Sequence, residues 1–422
     1  MLLETLKQHL SSGQLTSAYT LTRQLLEQEP ENGAAWVALY NIYSQQEKNK
    51  EALIALERAA DLLPSDIDVQ LAYASRLFQS GDLSQAEARC LALIKKRSEL
   101  SRPYVHLGRI AEQRGQIHAA EQYYSKALTL ESDELYSRAG LGLLTMYQGK
   151  LPEAIHHFRE VLSILLKGET FVRDSPPDNG FNRTEIETLM WKTLASMSAN
   201  GVHAFLTGGA LLGMEREGCL LPFDRDLDIA VPHQEIPQAA RLLLSNGWEK
   251  VVLPMPMLTP LPFKHKATGI VLDIYAVEIE EGTGNVISGT WMKGIPWEWQ
   301  RVIVFPGPLS LHIEVRPEGK VWTLDDKDSW LSALYGDWRT PDPYFSTPVC
   351  AYNQRSFSLL AQVYGYNRLT GLWKNGSIKR ALHIAKYMAA NFEDDVLLKS
   401  VHSHLQQVID SSGTSEKAAS SD

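Results

Sequence analysis

A chain of 422 residues and 47.3 kDa has room for two or three domains with separate cores. Its composition, 44% hydrophobic and 22% charged, is that of a globular protein, and a formal net charge of −9 argues against a general nucleic-acid binder, which presents a basic face. No run approaches the ~18 apolar residues that span a bilayer, and Cys90, Cys219 and Cys350 are odd in number and lack Cys-x-x-Cys spacing. The expected compartment is the reducing cytoplasm, with any position at a membrane face supplied by partners.

The opening stretch, MLLETLKQHL, sets Glu4, Lys7 and Gln8 among its apolar residues and so predicts an amphipathic helix rather than a signal peptide. A period of about 34 residues follows. Trp36, Leu39, Tyr40, Tyr43, Ala52, Leu56, Ala59 and Pro64 set the pattern, and Tyr104, Leu107, Gly108, Gly115, Ala120, Tyr124 and Ala127 repeat it. Leu141, Gly142, Gly149, Ala154 and Phe158 repeat it again, while the unit between keeps Gly81 and Ala86 but has Cys90 at a large-residue place. The pattern resembles tetratricopeptide repeats, which implies helical hairpins stacked into an all-α solenoid over residues 1–168, with a concave face that takes a protein or peptide.

Residues 169–182 are rich in Pro, Gly and Asp and read as a linker. Asn182 is placed to cap a helix whose apolar residues Ile186, Leu189, Met190, Leu194 and Met197 recur at helical spacing. After it comes the densest group of chemistry-bearing residues, FLTGGALLGMEREGCLLPFDRDLDIAV at 205–231. Gly208 and Gly209 allow a tight strand-to-helix turn whose first amides suit phosphates. Residues 222–231 alternate as a strand, with Asp224, Asp226 and Asp228 on one face and Leu227, Ile229 and Val231 on the other. Adjacent carboxylates repel unless a hard divalent cation sits among them, and Mg²⁺ (or Mn²⁺) held by carboxylates and substrate phosphates is the common arrangement. Asp273, in the apolar run Ile270 to Tyr275, is the further carboxylate.

Two plainer readings compete. Asp224, Asp226, Asp228 and Glu235 fit the first, third, fifth and twelfth places of a calcium loop, but Ile229 stands where such a loop needs glycine. A solvated acidic strand edge would leave the glycines and Asp273 without a role.

The order Gly-Gly, Arg216, Pro222-Phe223-Asp224-x-Asp226-x-Asp228, then Leu272-Asp273-Ile274 and Tyr335-Gly336-Asp337-Trp338 resembles the LicD and fukutin family, with Phe223 where that family has Trp. The resemblance covers the middle of the chain. It implies a nucleotidyltransferase-like mixed-sheet domain at 183–344 and metal-dependent transfer of a phosphocholine- or phosphopolyol-type group from a CDP-linked donor to a glycan or polysaccharide hydroxyl. Asp226, Asp228 and Asp273 would be catalytic and, with Asp224, metal ligands; Gly208, Gly209, Arg216 and Lys264 would hold the donor phosphates. Nucleotidyl transfer with release of pyrophosphate is the rival enzyme reading, and a catalytically dead repeat scaffold is the rival from another class. Trp291, Trp297 and Trp299 suit either packing or base stacking.

Helices are expected again over 345–410, where Gly376, Ala381, Ala385 and Met388 echo half a repeat, and 411–422 has too few apolar residues to stay ordered. The fold class expected is therefore α+β multidomain: solenoid, mixed-sheet domain, helical C-terminal region.

Overall fold

The computed structural model describes residues 5–6, 8–9, 12–173, 182–222 and 224–419, the side chains of 412–419 excepted. Phe223 and most of the predicted linker lie outside the described residues. The chain forms two compact units, 1–141 and 142–422.

In the first unit, α1 (Leu15–Gln28), α2 (Gly33–Gln45), α3 (Asn49–Leu62), α4 (Ile67–Ser80), α5 (Leu83–Lys96), α6 (Ser101–Gln113) and α7 (Ile117–Leu130) each pack on the next, and α8 (Leu135–Tyr147) straddles the cut. The starts are set by side-chain caps: Asn32, Asp66 and Asp82 accept from the amides of Ala35, Val69 and Gln85 at 3.0 to 3.1 Å. The small positions of the repeat make room for the large ones. A Cβ added at Gly108 or Gly140 would lie 2.4 or 2.3 Å from the Tyr124 ring, which wedges between them and donates to Glu112 Oε2 at 2.7 Å. Cys90, the odd residue of the degenerate unit, is fully buried beside Ala74 and Leu107 and fills the place as a small hydrophobe.

The second unit opens with the end of α8 and with α9 (Leu151–Leu165). α10 (Arg183–Ala199) starts on Asn182, which accepts from the Glu185 amide at 3.5 Å. Then come β1 (Phe205–Leu206), α11 (Gly208–Arg216), β2 (Asp226–Pro232), α12 (Ile236–Ser245), β3 (Trp248–Lys250), β4 (Met257–Thr259), β5 (Leu261–His265), β6 (Val271–Ile279), β7 (Val286–Met292) and β8 (Arg301–Phe305). They form a mixed sheet ordered β1-β2-β6-β5-β3, with β7 pairing β4, β6 and β8. β2 and β6 run parallel and the other pairs antiparallel. Parallel pairing needs a crossover, and α12 lies in that connection. Phe205, Trp248, Phe263 and Phe305 are fully buried in its core, each worth on the order of 2–3 kcal/mol of burial.

A separate hairpin of β9 (Leu311–Arg316) and β10 (Gly319–Leu324) leads to α13 (Lys327–Tyr335) and the short α14 (Thr347–Cys350). Three helices close the chain: α15 (Leu359–Lys374), α16 (Ile378–Asn391) and α17 (Val396–Ala419). α15 packs on α9, α16 on α15, and α17 on both α16 and α9. Leu151, Ala154, Phe158 and Leu162 of α9 share one core with Leu360, Val363, Tyr366, Ala381, Ala385 and Met388. Arg159 reaches from α9 to the Asp395 carboxylate and the Tyr366 hydroxyl. The echo of a repeat at Gly376 to Met388 is thus a real helix pair, and the sheet domain is inserted between α9 and that pair. Through this shared core α9 belongs to the second compact unit.

Within the predicted linker, residues 170–173 lie on the last helices: Thr170 Oγ1 accepts from Trp373 Nε1 at 3.1 Å and the Arg173 amide donates to Gly376 O at 2.8 Å. The tail expected to be without structure is corrected in part, because α17 continues to Ala419. Glu416 to Ala419 are good helix formers. Among the described residues no helix is long and apolar enough to cross a membrane.

Candidate active site

β2 begins at Asp226, four residues later than the alternation over 222–231 predicts, so Asp224 sits in the approach to the strand rather than on its face. The parallel register sets Asp228 directly opposite Asp273 and Asp226 opposite Val271. One carboxylate oxygen from each of Asp226, Asp228 and Asp273 lies within 4.8 Å of the other two. Asp224 is outside that trio.

The glycines stand against these carboxylates. A Cβ at Gly208, whose φ is +53°, would fall 2.2 Å from Asp228 Oδ2, and one at Gly209 would fall 2.6 Å from Asp224 Oδ2. The Gly209 amide donates to Asp228 Oδ2 at 3.0 Å. The start of α11 therefore serves Asp228 first, a different use from the phosphate cradle that the Gly-Gly turn predicts. The anion at the helix N-terminus is one of the protein's own.

A cavity of about 530 Å³ opens in front of the cluster, lined by Gly208, Gly209, Arg216, Asp224, Asp226 and Asp228 from the predicted motif. Lys264 does not line it. This lysine is exposed on β5 opposite Val271, with its stem against the Gly269 turn. Asp273 joins the carboxylate trio from β6 but is not among the lining residues.

Crowding shows in the acidities. Asp228 is raised well above the carboxylate range, by desolvation first and then by Asp226 and Asp273, although the Gly209 amide pulls it back. Asp273 is pushed up to about 7 by desolvation and Asp226, and Asp224 to about 7 by the same two causes, against Arg216. Asp226 is raised by desolvation, with its backbone hydrogen bond and the charge of Arg368 opposing. Four carboxylates that resist ionising together form a site in want of positive charge.

Arg216 is held by Glu217 Oε1 at 2.9 Å from Nε and by the Trp338 carbonyl at 3.3 Å from Nη1. That second contact gives Tyr335-Gly336-Asp337-Trp338 a place: Tyr335, Asp337 and Trp338 all line the cavity, and the segment ends α13 against Arg216. Trp330 of the same helix stacks on Phe305 with centroids 3.7 Å apart and donates to Thr207 Oγ1 at 3.1 Å, locking α13 to the glycine turn. Trp291 and Trp297 pack against each other, and with Trp299 they lie away from the cavity, whose indoles are Trp330 and Trp338.

Sequence reasoning missed Tyr275, Arg301, Asp342 and Arg368 among the further polar lining, and named Asp337 only within its motif. For Arg301 a signal existed, a cation opening the apolar run Val302 to Phe305. Arg368 had none, since it comes from α15, beyond the sheet domain.

Residues 201–309 match the model of the LicD/FKTN/FKRP nucleotidyltransferase domain, and residues 2–130 match the cytochrome c-type biogenesis protein H TPR domain. The anaphase-promoting complex subunit cut9 of Schizosaccharomyces pombe (strain 972 / ATCC 24843) is 22% identical over 159 residues, 38% of this chain and 24% of that protein. The protein O-mannosyl-transferase TMTC1 of Mus musculus is 27% identical over 145 residues, 33% of this chain and 15% of that protein. The chain thus spans a quarter or less of the length of these two relatives. Among solved structures, MamA 41-end from Desulfovibrio magneticus RS-1 is 15% identical, with a TM-score of 0.36, covering 40% of this chain and 94% of its own. The chain joins a tetratricopeptide-repeat region to a LicD/FKTN/FKRP-type nucleotidyltransferase domain.

Proposed function

We propose that the protein transfers a phosphorylated alcohol of the choline or polyol type from a CDP-linked donor to a glycan hydroxyl, with Mg²⁺ or Mn²⁺ held by Asp226, Asp228 and Asp273. The observation that carries this reading is the carboxylate trio on paired strands beside a cavity whose lining also holds three arginines. The trio fits such an ion: its donors are hard oxygens, close enough to share one cation, and burial with neighbouring carboxylate charge raises the proton affinity of Asp228 and Asp273. When bound, the ion would supply charge neutralisation and polarisation of the donor phosphoryl group.

The chain's own residues do the rest. Asp228 is oriented by the Gly209 amide, and the missing side chains at 208 and 209 let it and Asp224 approach. Arg216 holds the donor phosphates with the N–H groups left over from Glu217 and Trp338, a forked grip that a lysine lacks. Asp273, set back from the lining, belongs to the metal rather than to proton transfer. The acceptor oxygen would attack the phosphorus that carries the alcohol, forming an O–P bond as the P–O bond to CMP breaks; the hydroxyl proton leaves to solvent. The repeats of the first unit would bring the acceptor or a protein partner.

The test is incubation with a panel of CDP-linked donors and, separately, with CTP, each with a sugar acceptor, with and without Mg²⁺. Metal-dependent release of CMP is expected. Release of pyrophosphate from CTP would mark nucleotidyl transfer instead, and release of neither would leave a scaffold.

A further inference from the structure

Arg301 is 2% exposed at the head of β8, yet it lines the cavity. Its Nη2 donates to the Thr347 carbonyl at 2.6 Å, while its buried Nε has no hydrogen-bond partner. Among the described residues no carboxylate pairs with it; the groups around it are the phenols of Tyr275, Tyr364 and Tyr387 and the thiol of Cys350. A buried guanidinium without a counter-charge is costly, and cores normally avoid one.

Arg368 reaches the same cavity from α15 and also has no carboxylate partner among the described residues. It faces repulsion from Arg380 of α16 and is close enough to Asp226 to ease that carboxyl's ionisation. Both guanidiniums thus line the one cavity that the carboxylates and Arg216 also line.

We propose that Arg301 and Arg368 form a second phosphate-binding wall of this cavity, which grips a phosphoanhydride jointly with the carboxylate trio and its metal, so that α15, outside the family-matched residues 201–309, completes the site. This rests on the reading that the donor is a nucleoside diphosphate derivative. A metal held by the trio would neutralise part of the charge of a pyrophosphate group. The two guanidiniums would neutralise the remainder, and the unsatisfied Nε of Arg301 would gain its partner from the ligand. Discrimination between a diphosphate and a monophosphate would then reside in residues 301 and 368.

Calorimetry of the full chain with Mg²⁺ and either inorganic pyrophosphate, CDP or CMP tests this, using Arg368→Ala, Arg368→Lys and Arg301→Met. Arg368 is exposed and its replacement leaves the core intact. Arg301→Met has similar length without the charge, and an unchanged melting curve verifies its fold. Pyrophosphate and CDP should bind the wild type, weaken about ten- to hundredfold in Arg368→Ala and Arg301→Met, and recover in part in Arg368→Lys, with CMP nearly unaffected. Equal pyrophosphate and CDP affinity in wild type and Arg368→Ala would overturn the inference and leave the proposed reaction standing. Arginine-dependent pyrophosphate binding without turnover of any CDP-linked donor would keep the wall and remove the proposed donor. Failure of the wild type to bind either diphosphate would remove both.

Discussion

The Gly209 amide and the Asp228 carboxylate are 3.0 Å apart and hydrogen-bonded, which ties the first turn of α11 to the central residue of the acidic trio. The glycine pair is therefore part of the carboxylate machinery.

Replacing Gly208 or Gly209 by Ala should displace Asp228 or Asp224, since the new methyl would lie 2.2 or 2.6 Å from an oxygen. A shift of about 1 Å in a ligand costs on the order of a hundredfold in rate. In Gly208→Ala donor turnover and Mn²⁺ binding should fall together, and wild-type values for both would show that Asp228 has slack.

In the metal-free protein, Asp273 takes its proton at about 7, against ~3.9 in an unfolded chain. Between these values the folded state holds more protons than the unfolded one, so stability is full below pH ~4 and falls as pH rises towards 7. Melting in EDTA should show this decline. Asp273→Asn should flatten it and raise Tm at pH 7.5 by a few degrees, on the order of 1 kcal/mol. Added Mg²⁺ should restore the wild type most at high pH and the Asn variant little. A pH-independent Tm in the EDTA-treated wild type would be incompatible with a strained acidic cluster.

Arg216→Lys keeps the charge but loses the fork shared by Glu217, Trp338 and the donor. KM for the donor should rise about tenfold with a smaller change in kcat. A changed kcat at constant KM would place Arg216 in the chemical step instead.

A fragment spanning 142–422 should fold and turn over a soluble donor, because it keeps α9 against α15. One starting at 176 should be unstable, since it bares the surface formed by Leu360, Val363 and Tyr366 and removes the Arg159 partner of Asp395. Circular dichroism and donor turnover on both fragments decide the matter. A stable, active fragment from 176 would show the packing to be dispensable.

How much was legible followed the range of the interactions. The repeat units, the cap at Asn182 and the Asp226-x-Asp228 pair are local patterns that a short window of sequence carries, and Asp273 stands out within its own apolar run, Ile270 to Tyr275; the pairing of β2 with β6 brings it to Asp228. Asp224 was placed on the strand because alternation continues through it, although pairing with β6 starts only at Asp226. The nearness of Lys264 to Asp273 in sequence suggests a shared site, yet antiparallel pairing sets Lys264 between Val271 and Glu249, exposed and off the cavity lining. Arg368 depends on a helix packed nearly a hundred residues after Asp273, a contact that no window contains. The strands Val286 to Phe305 were obscured by their tryptophans and by Gly289, which sits where a Cβ would lie 2.0 Å from the Arg301 carbonyl.

The insertion of the sheet domain between α9 and α15 also bears on how such a chain can change over generations. Every residue lining the cavity, and α9 with the three closing helices that share its core, follow Gly142. Repeats can therefore be gained, lost or exchanged ahead of α8 while the cavity lining is inherited unchanged.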